Sequence, residues 1–253
     1  MARVIQFSDT HLRKGQSRHQ RGFSRAVRKA GRADLTILTG DLSVDGADSE
    51  VDLKEARARF DRLPYSWVAI PGNHDIGEEP ASPRKDQPVT EDRLRRYRAL
   101  FGADHFVRDV PGWRLIGLNI HLFGTGLADE DQQWAMLEHA LGTRGARRVG
   151  LFVHKPLFIE SPEEPETAYW TVAASGRDRL LKLADRGAAI AFISSGHLHQ
   201  GLIRDVDGVR HVWCPATANS ASTMRAVGAL PGTGFAVWDL REDGSYRVNF
   251  EFL

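Results

Sequence analysis

Asp9-Thr10-His11, Gly40-Asp41, Gly72-Asn73-His74-Asp75, His154 and Gly196-His197-Leu198-His199 are the segments whose side chains could do chemistry together. Each stands just behind a short apolar run: Val4–Phe7, Leu35–Thr39, Val68–Pro71, Val149–Val153 and Ile190–Ser195. Carboxylates, imidazoles and an amide oxygen are hard-to-intermediate ligands, suited to Fe, Mn, Zn or Co. Two such ions held about 3.5–4 Å apart need one ligand that reaches both, and a carboxylate can bridge. The glycines beside Asp41, Asn73 and His197 suit tight turns that aim those side chains inward.

The elements that must position these residues are legible as alternating short apolar and longer amphipathic stretches. Strands are expected at 3–7, 35–39, 67–70, 114–118, 148–153, 189–194, 209–213, 234–239 and 246–252. Helices are expected at 22–31, 49–62, 90–101, 129–142 and 175–186; the fourth places Trp134, Leu137, Glu138 and Leu141 at helical spacing after the acidic start Asp129-Glu130-Asp131. Early strands alternate with helices, whereas the last three follow one another directly. That order predicts a layered α/β protein with mixed sheets rather than a pure doubly wound one. Ligands at the strand ends of such a sheet converge on one edge. Segments 77–89, 160–172 and 216–233 read as long loops of the kind that carry function or move. No linker interrupts the chain, so residues 1–253 are expected to form a single domain.

The five motifs, in this order, resemble the calcineurin-like metallophosphoesterase superfamily, whose pattern is DxH, GD, GNH(D/E), H and GHxH. The likeness spans positions 9 to 199. It implies a four-layer α/β/β/α sandwich of two mixed sheets flanked by helices. It also implies two metal ions, the first held by Asp9, His11 and His199, the second by Asn73, His154 and His197, with Asp41 bridging. His74 matches the residue that contacts the phosphoryl group and protonates the leaving oxygen. Finer features look most like the bacterial class III cyclic-nucleotide phosphodiesterases. Gly40-Asp41-Leu42-Ser43-Val44-Asp45-Gly46 resembles their GDLxxDG segment, Gln133–Glu138 their QxxWLE helix and Gly196–Gln200 their GHxHQ. His154-Lys155-Pro156 resembles their HHP turn with Lys155 in place of the second histidine. The protein Ser/Thr phosphatases carry GDxVDRG and GNHE, which fit less well.

The chemistry implied is hydrolysis of a small phosphate ester. Two cations acidify a shared water, and the hydroxide attacks phosphorus while His74 acts as general acid. A phosphodiester is the expected substrate, with a 3',5'-cyclic nucleotide as the candidate. A phosphomonoesterase and a nuclease are the enzyme alternatives, and a metal-free scaffold that binds a protein partner is the non-enzymatic one. The balance of 34 Lys+Arg against 33 Asp+Glu supplies no field for nucleic acid. No apolar run is long enough to span a membrane. A single cysteine, Cys214, excludes an internal disulfide and fits a cytoplasmic protein. A homodimer is compatible with the sequence, which does not fix oligomeric state.

The remaining candidates have bland defaults. His139 and His211 read as structural or exposed, while His121 and His19 are outside candidates for the cleft. Tyr169 and Trp170 could stack on a nucleobase or simply anchor their loop. The basic run Arg13, Lys14, Arg18 and Arg21 reads as a solvated face. Asp45 and Asp75 are expected to orient imidazoles, and Cys214 to be a buried small apolar side chain.

Overall fold

The computed structural model describes residues 1–165, 169–185, 190–221 and 225–253. Residue 189 of the expected 189–194 strand and residue 186 of the expected 175–186 helix lie outside the described residues, as do parts of the 160–172 and 216–233 loops.

Two sheets carry the fold. In the first, β1 (Ala2–Phe7), β2 (Leu35–Thr39) and β3 (Trp67–Ile70) run parallel, and β10 (Gly234–Leu240) and β11 (Tyr246–Phe252) extend it antiparallel in the order β11-β10-β1-β2-β3. The second contains β4 (Phe106–Val110), β5 (Trp113–Gly117), β6 (Arg148–Phe152), β7 (Ile190–Ser195), β8 (Leu202–Val206) and β9 (Val209–Trp213), in the order β4-β5-β6-β7-β9-β8. Only its edge strands β4 and β8 are antiparallel. The helices are α1 (Ser17–Ala30), α2 (Glu50–Phe60), the single turn α3 (Asn73–Ile76), α4 (Glu91–Phe101), α5 (Ala128–Gly142) and α6 (Ala174–Asp185).

Successive strand residues point to opposite faces, and this alternation sorts the chain into layers. Ile5 and Phe7 of β1 pack on Phe23 of α1, Phe60 of α2 and Leu94 of α4. Val4, on the other face, joins Ile37, Phe152, Phe192 and Trp238 in the core between the sheets. Val149 and Leu151 of β6 turn away from that core toward Trp134 and Leu137 of α5 and Leu180 of α6. The result is the helix–sheet–sheet–helix sandwich expected from the motifs.

One polar residue crosses the inter-sheet core. Gln6 is fully buried; its Nε2 donates to Thr39 Oγ1 (3.1 Å), and its Oε1 accepts from Ser194 Oγ (2.7 Å) and Trp238 Nε1 (3.1 Å). These bonds tie the ends of β1, β2 and β7 together directly beneath the loops that follow them.

Two strands were not legible, β4 and β8. Both are edge strands, and the charged pairs Arg108-Asp109 and Arg204-Asp205 break the apolar run, with Arg108, Asp109 and Asp205 exposed and Arg204 half-buried. With β8 added, five strands, β7 to β11, follow α6 with no intervening helix among the described residues. Helix α1 begins five residues before the expected position 22, because its first turn is polar and faces solvent.

Gln6→Leu should destabilise the protein by about 1–3 kcal/mol in urea unfolding, because Trp238 Nε1 loses its partner inside the core. An unchanged or raised stability would show that the polar tie is dispensable.

Candidate metal centre

The loops that follow β1, β2, β3, β6 and β7 meet at one edge of the sandwich. Backbone bonds lock them to one another: Asp9 N–H donates to Gly40 O (3.1 Å), His11 N–H to Asp41 O (2.9 Å) and Gly196 N–H to His154 O (2.8 Å). Asp9, His11, Asp41, His197 and His199 all have φ between 41° and 64°. Non-glycine residues avoid this left-handed region at a cost of about 1–2 kcal/mol each, and they persist there only when the surroundings over-determine them. Strain of this kind concentrated on five of the candidate ligands shows that the loops are built to aim side chains.

Two glycines serve a different purpose from the one expected. A Cβ on Gly72 would lie 2.2 Å from Asp41 Oδ1, and one on Gly196 would lie 1.8 Å from Ser8 Oγ, so both positions are emptied to let loops touch. Of the glycines at positions 40, 72 and 196, Gly40, at φ 86°, is the one whose turn needs the conformational freedom of glycine.

All the sequence-predicted site residues come together. Asp9, His11, Asp41 and His199 form one group, and Asp41, His154 and His197 form a second, with ligand atoms within 4.8 Å of one another in each. Asp41 belongs to both. Its Oδ2 lies 3.6 Å from His11 Nε2 and its Oδ1 lies 3.3 Å from His154 Nε2. Asn73 joins the second group through Oδ1, 3.2 Å from His154 Nε2.

Backbone carbonyls decide which imidazole nitrogen faces inward. His154 Nδ1–H donates to Thr39 O (2.8 Å), His199 Nδ1–H to Asn219 O (2.9 Å) and His197 Nε2–H to Tyr169 O (2.9 Å). The opposite nitrogens are turned into the cluster and present lone pairs whenever the rings are neutral. There His199 Nε2 lies 3.2 Å from His11 Nε2, and His197 Nδ1 and Asp9 Oδ1 are buried without any hydrogen-bond partner. Acceptor facing acceptor in a buried site is repulsive unless a cation lies between them. This donor set fits metal ions.

The electrostatics agree. Burial pushes His11 down to about 3 even though Asp41 opposes it. Burial also opposes charge on His154, but Asp41 and Asp9 outweigh it and raise that imidazole to about 9. Burial would raise Asp41, yet His154 and His74 hold it well below the usual carboxylate range. The cluster thus attracts positive charge.

His74 stands at the rim. Its Nδ1–H donates to Val44 O (2.7 Å), so Nε2 is the atom turned to the cleft, 4.0 Å from Asp41 Oδ2. The cleft is also lined by His19, Tyr169, Trp170, Leu198 and Asn219. His19 lies on α1 rather than in a loop, and its Nδ1–H donates to His11 O (2.9 Å). Asn219 carried no signal in sequence, since it contributes a backbone carbonyl.

Several expectations are corrected. Asp75 orients no imidazole. Its carboxylate accepts from Leu42 N, Ser43 N, Ser43 Oγ and Gly72 N (2.6–3.0 Å), clamping the second and third loops together. Burial and nearby Asp41 raise this carboxyl to about 6. Asp45 accepts from Gln87 and pairs with Arg13, likewise away from any imidazole. Arg13 is not merely solvated, because it also pairs with Asp52 at 2.7 Å. His121 does not reach the cleft; it is fully buried and bonded to Glu79. Cys214 is free and buried, as expected. Among the described residues no helix is long and apolar enough to cross a membrane.

The model of the calcineurin-like phosphoesterase family matches residues 2–201. The chain belongs to that family. As a calcineurin-like phosphoesterase it is a metal-dependent enzyme acting on phosphate esters. It is 26% identical to a probable cyclic nucleotide phosphodiesterase of Synechococcus sp., over 99% of this chain and 92% of that protein. It is 27% identical to a probable glycerophosphodiester phosphodiesterase of Arcobacter nitrofigilis, over 78% of this chain and 71% of that protein. Its fold is similar to that of a dimetal phosphatase from Danio rerio, with a TM-score of 0.67 at 15% identity, covering 98% of this chain and 95% of the other.

Two outcomes follow from this geometry. Gly72→Ala pushes Asp41 aside and should weaken Mn²⁺ affinity about 10–100-fold in equilibrium dialysis, the range for losing support of a ligand. Below about pH 9 His154 carries a proton that a metal must displace. Calorimetry of Mn²⁺ binding in buffers of different ionisation enthalpy should therefore show net proton release at pH 7 and weaker binding as pH falls. Proton uptake would contradict it.

Proposed function

We propose that this calcineurin-like phosphoesterase is a phosphodiesterase with a dinuclear metal centre, and that a 3',5'-cyclic nucleotide is its substrate class. Asp9, His11 and His199 would hold one ion, Asn73, His154 and His197 the other, and Asp41 would serve both. The observation that carries this reading is the placement of the two Asp41 oxygens, one toward each group of ligands. The nitrogen and oxygen donors suit Fe, Mn, Zn or Co. Bound there, two cations supply Lewis acidity that neutralises phosphoryl charge and acidifies water.

The chain's own residues do the rest. Because His74 gives its Nδ1 proton to Val44 O, the ring can donate from Nε2 only when it carries both protons. In that form it can give the Nε2 proton to a leaving alkoxide. Tyr169 and Trp170, with ring centroids 4.8 Å apart, form an aromatic wall on which a nucleobase can stack. The described residues lining the cleft include no Lys or Arg. A monoester dianion carries one more negative charge than a diester, and a Lys or Arg in the cleft would help to neutralise it. This charge argument, together with the two phosphodiesterase relatives, favours the diester. The free Cys214 fits a reducing compartment, and the reading keeps the enzyme in the cytoplasm.

His74→Ala should keep its metal content while kcat for cyclic AMP falls about 10²–10⁴-fold. Hydrolysis of bis(p-nitrophenyl) phosphate should fall far less, because nitrophenolate leaves without a proton. Equal losses on both substrates would remove His74 from the role of acid. A wild-type preference for p-nitrophenyl phosphate over the diester would overturn the substrate class.

A further inference from the structure

Next to the metal centre lies a second buried cluster that the hydrolysis does not use. Glu78 and Glu79 come from the loop after α3, His121 from the 3-10 turn Ile120–Leu122, and Lys155 from the position after His154. All four side chains are 0–1% exposed. Lys155 Nζ donates to Glu78 Oε2 (2.9 Å) and Glu79 Oε1 (2.8 Å), and His121 Nδ1–H donates to Glu79 Oε2 (2.8 Å). Glu78 Oε1 and His121 Nε2 are buried with no hydrogen-bond partner.

Without the lysine these three side chains have the donor types and spacing that could hold a metal ion. Ligand atoms of Glu78, Glu79 and His121 lie within 4.8 Å of one another, two carboxylates and an imidazole around one point. Buried carboxylates require a partner charge. The chain supplies it from Lys155, at the position where the resembling phosphodiesterases carry a histidine. An ammonium there does electrostatically what a bound cation would do, while remaining covalently tethered.

The tether also points at the substrate cleft. Lys155 Nζ lies 5.5 Å from the Tyr169 ring centroid, and the Arg84 guanidinium, from the same acidic loop, lies 5.9 Å from it. Both distances are within cation–π range. Tyr169 in turn accepts the Nε2 proton of His197 at its carbonyl and lines the cleft beside Trp170. Lys155 is therefore joined to the aromatic wall without itself lining the cleft.

We propose that Glu78, Glu79 and His121 form a third cation site, separate from the dinuclear centre, whose resident cation is the tethered ammonium of Lys155, and that this ammonium positions the Tyr169–Trp170 wall. Lys155 acts through Tyr169 and is a positioning residue. The substrate consequence rests on the cyclic-nucleotide reading above; the cation site does not.

The test compares wild type with Lys155→Ala after loading with Mn²⁺ and removal of free metal. Lys155→Ala should hold one more ion per chain than wild type by elemental analysis, and Lys155→Ala/His121→Ala should return to the wild-type count. With metal limited to the wild-type content, KM for cyclic AMP should rise about tenfold, equivalent to about 1.4 kcal/mol, with kcat changed less. Propylammonium, which replaces the missing side-chain atoms, should restore KM; a merely structural loss would not respond to it. An unchanged ion count overturns the third cation site, and an unchanged KM overturns the positioning role. Should Lys155→Ala fail to fold, Lys155→Met/Glu78→Gln/Glu79→Gln keeps the volume without buried charge. That variant should take no extra ion and show a raised KM that propylammonium does not reverse; a wild-type KM there also overturns the role. Absence of cyclic AMP hydrolysis by the wild type would sink the earlier reading instead, while the difference in ion count would still test the site.

Discussion

A buried crowd of lone pairs is the constraint on which this molecule depends. At the edge where both sheets end, carboxylate oxygens, an amide oxygen and imidazole nitrogens face one another at 3.2–3.6 Å. Such a group repels itself, and burial removes the water that would relieve it. Its stability comes from positive charge placed among the acceptors. The carbonyls of Thr39, Asn219 and Tyr169 hold the imidazoles in the tautomers that keep the acceptors turned inward.

The rest of the fold resists that repulsion. Five left-handed residues store strain in the loops, and strands packed on both faces give those loops rigid roots. Asp75 ties the second and third loops together, and Gln6 ties β1, β2 and β7 beneath them. Without such bracing a cluster of this kind would relax by spreading apart. The same logic recurs at Glu78 and Glu79, where the compensating charge is a lysine of the chain itself. Two neighbouring sites thus meet one electrostatic demand in different ways.

What could be read in advance followed from locality. Strands with mostly buried side chains on both faces read as apolar runs, so β1, β2, β6 and β7 and the edge strand β3 are visible, and with them the points where ligands emerge. Edge strands β4 and β8 interleave exposed charge and so lost that signature, although Asp207-Gly208 between β8 and β9 is a strong hairpin signal that could have exposed the latter. The one-turn helix α3 is too short for any periodicity. The role of Asp75 is not legible locally, because an acidic residue after Asn73-His74 resembles an imidazole partner, whereas its partners come mostly from another loop. The Lys155 cluster joins residues 76 and 77 positions apart and has no local pattern at all.

The central claim is that two cations share Asp41. Anomalous diffraction from crystals grown with Mn²⁺ tests it directly. The account predicts two peaks about 3.5–4 Å apart, one within bonding distance of Asp9, His11 and His199, the other of Asn73, His154 and His197, with Asp41 touching both. A single peak, or a pair that leaves Asp41 unligated, would contradict it.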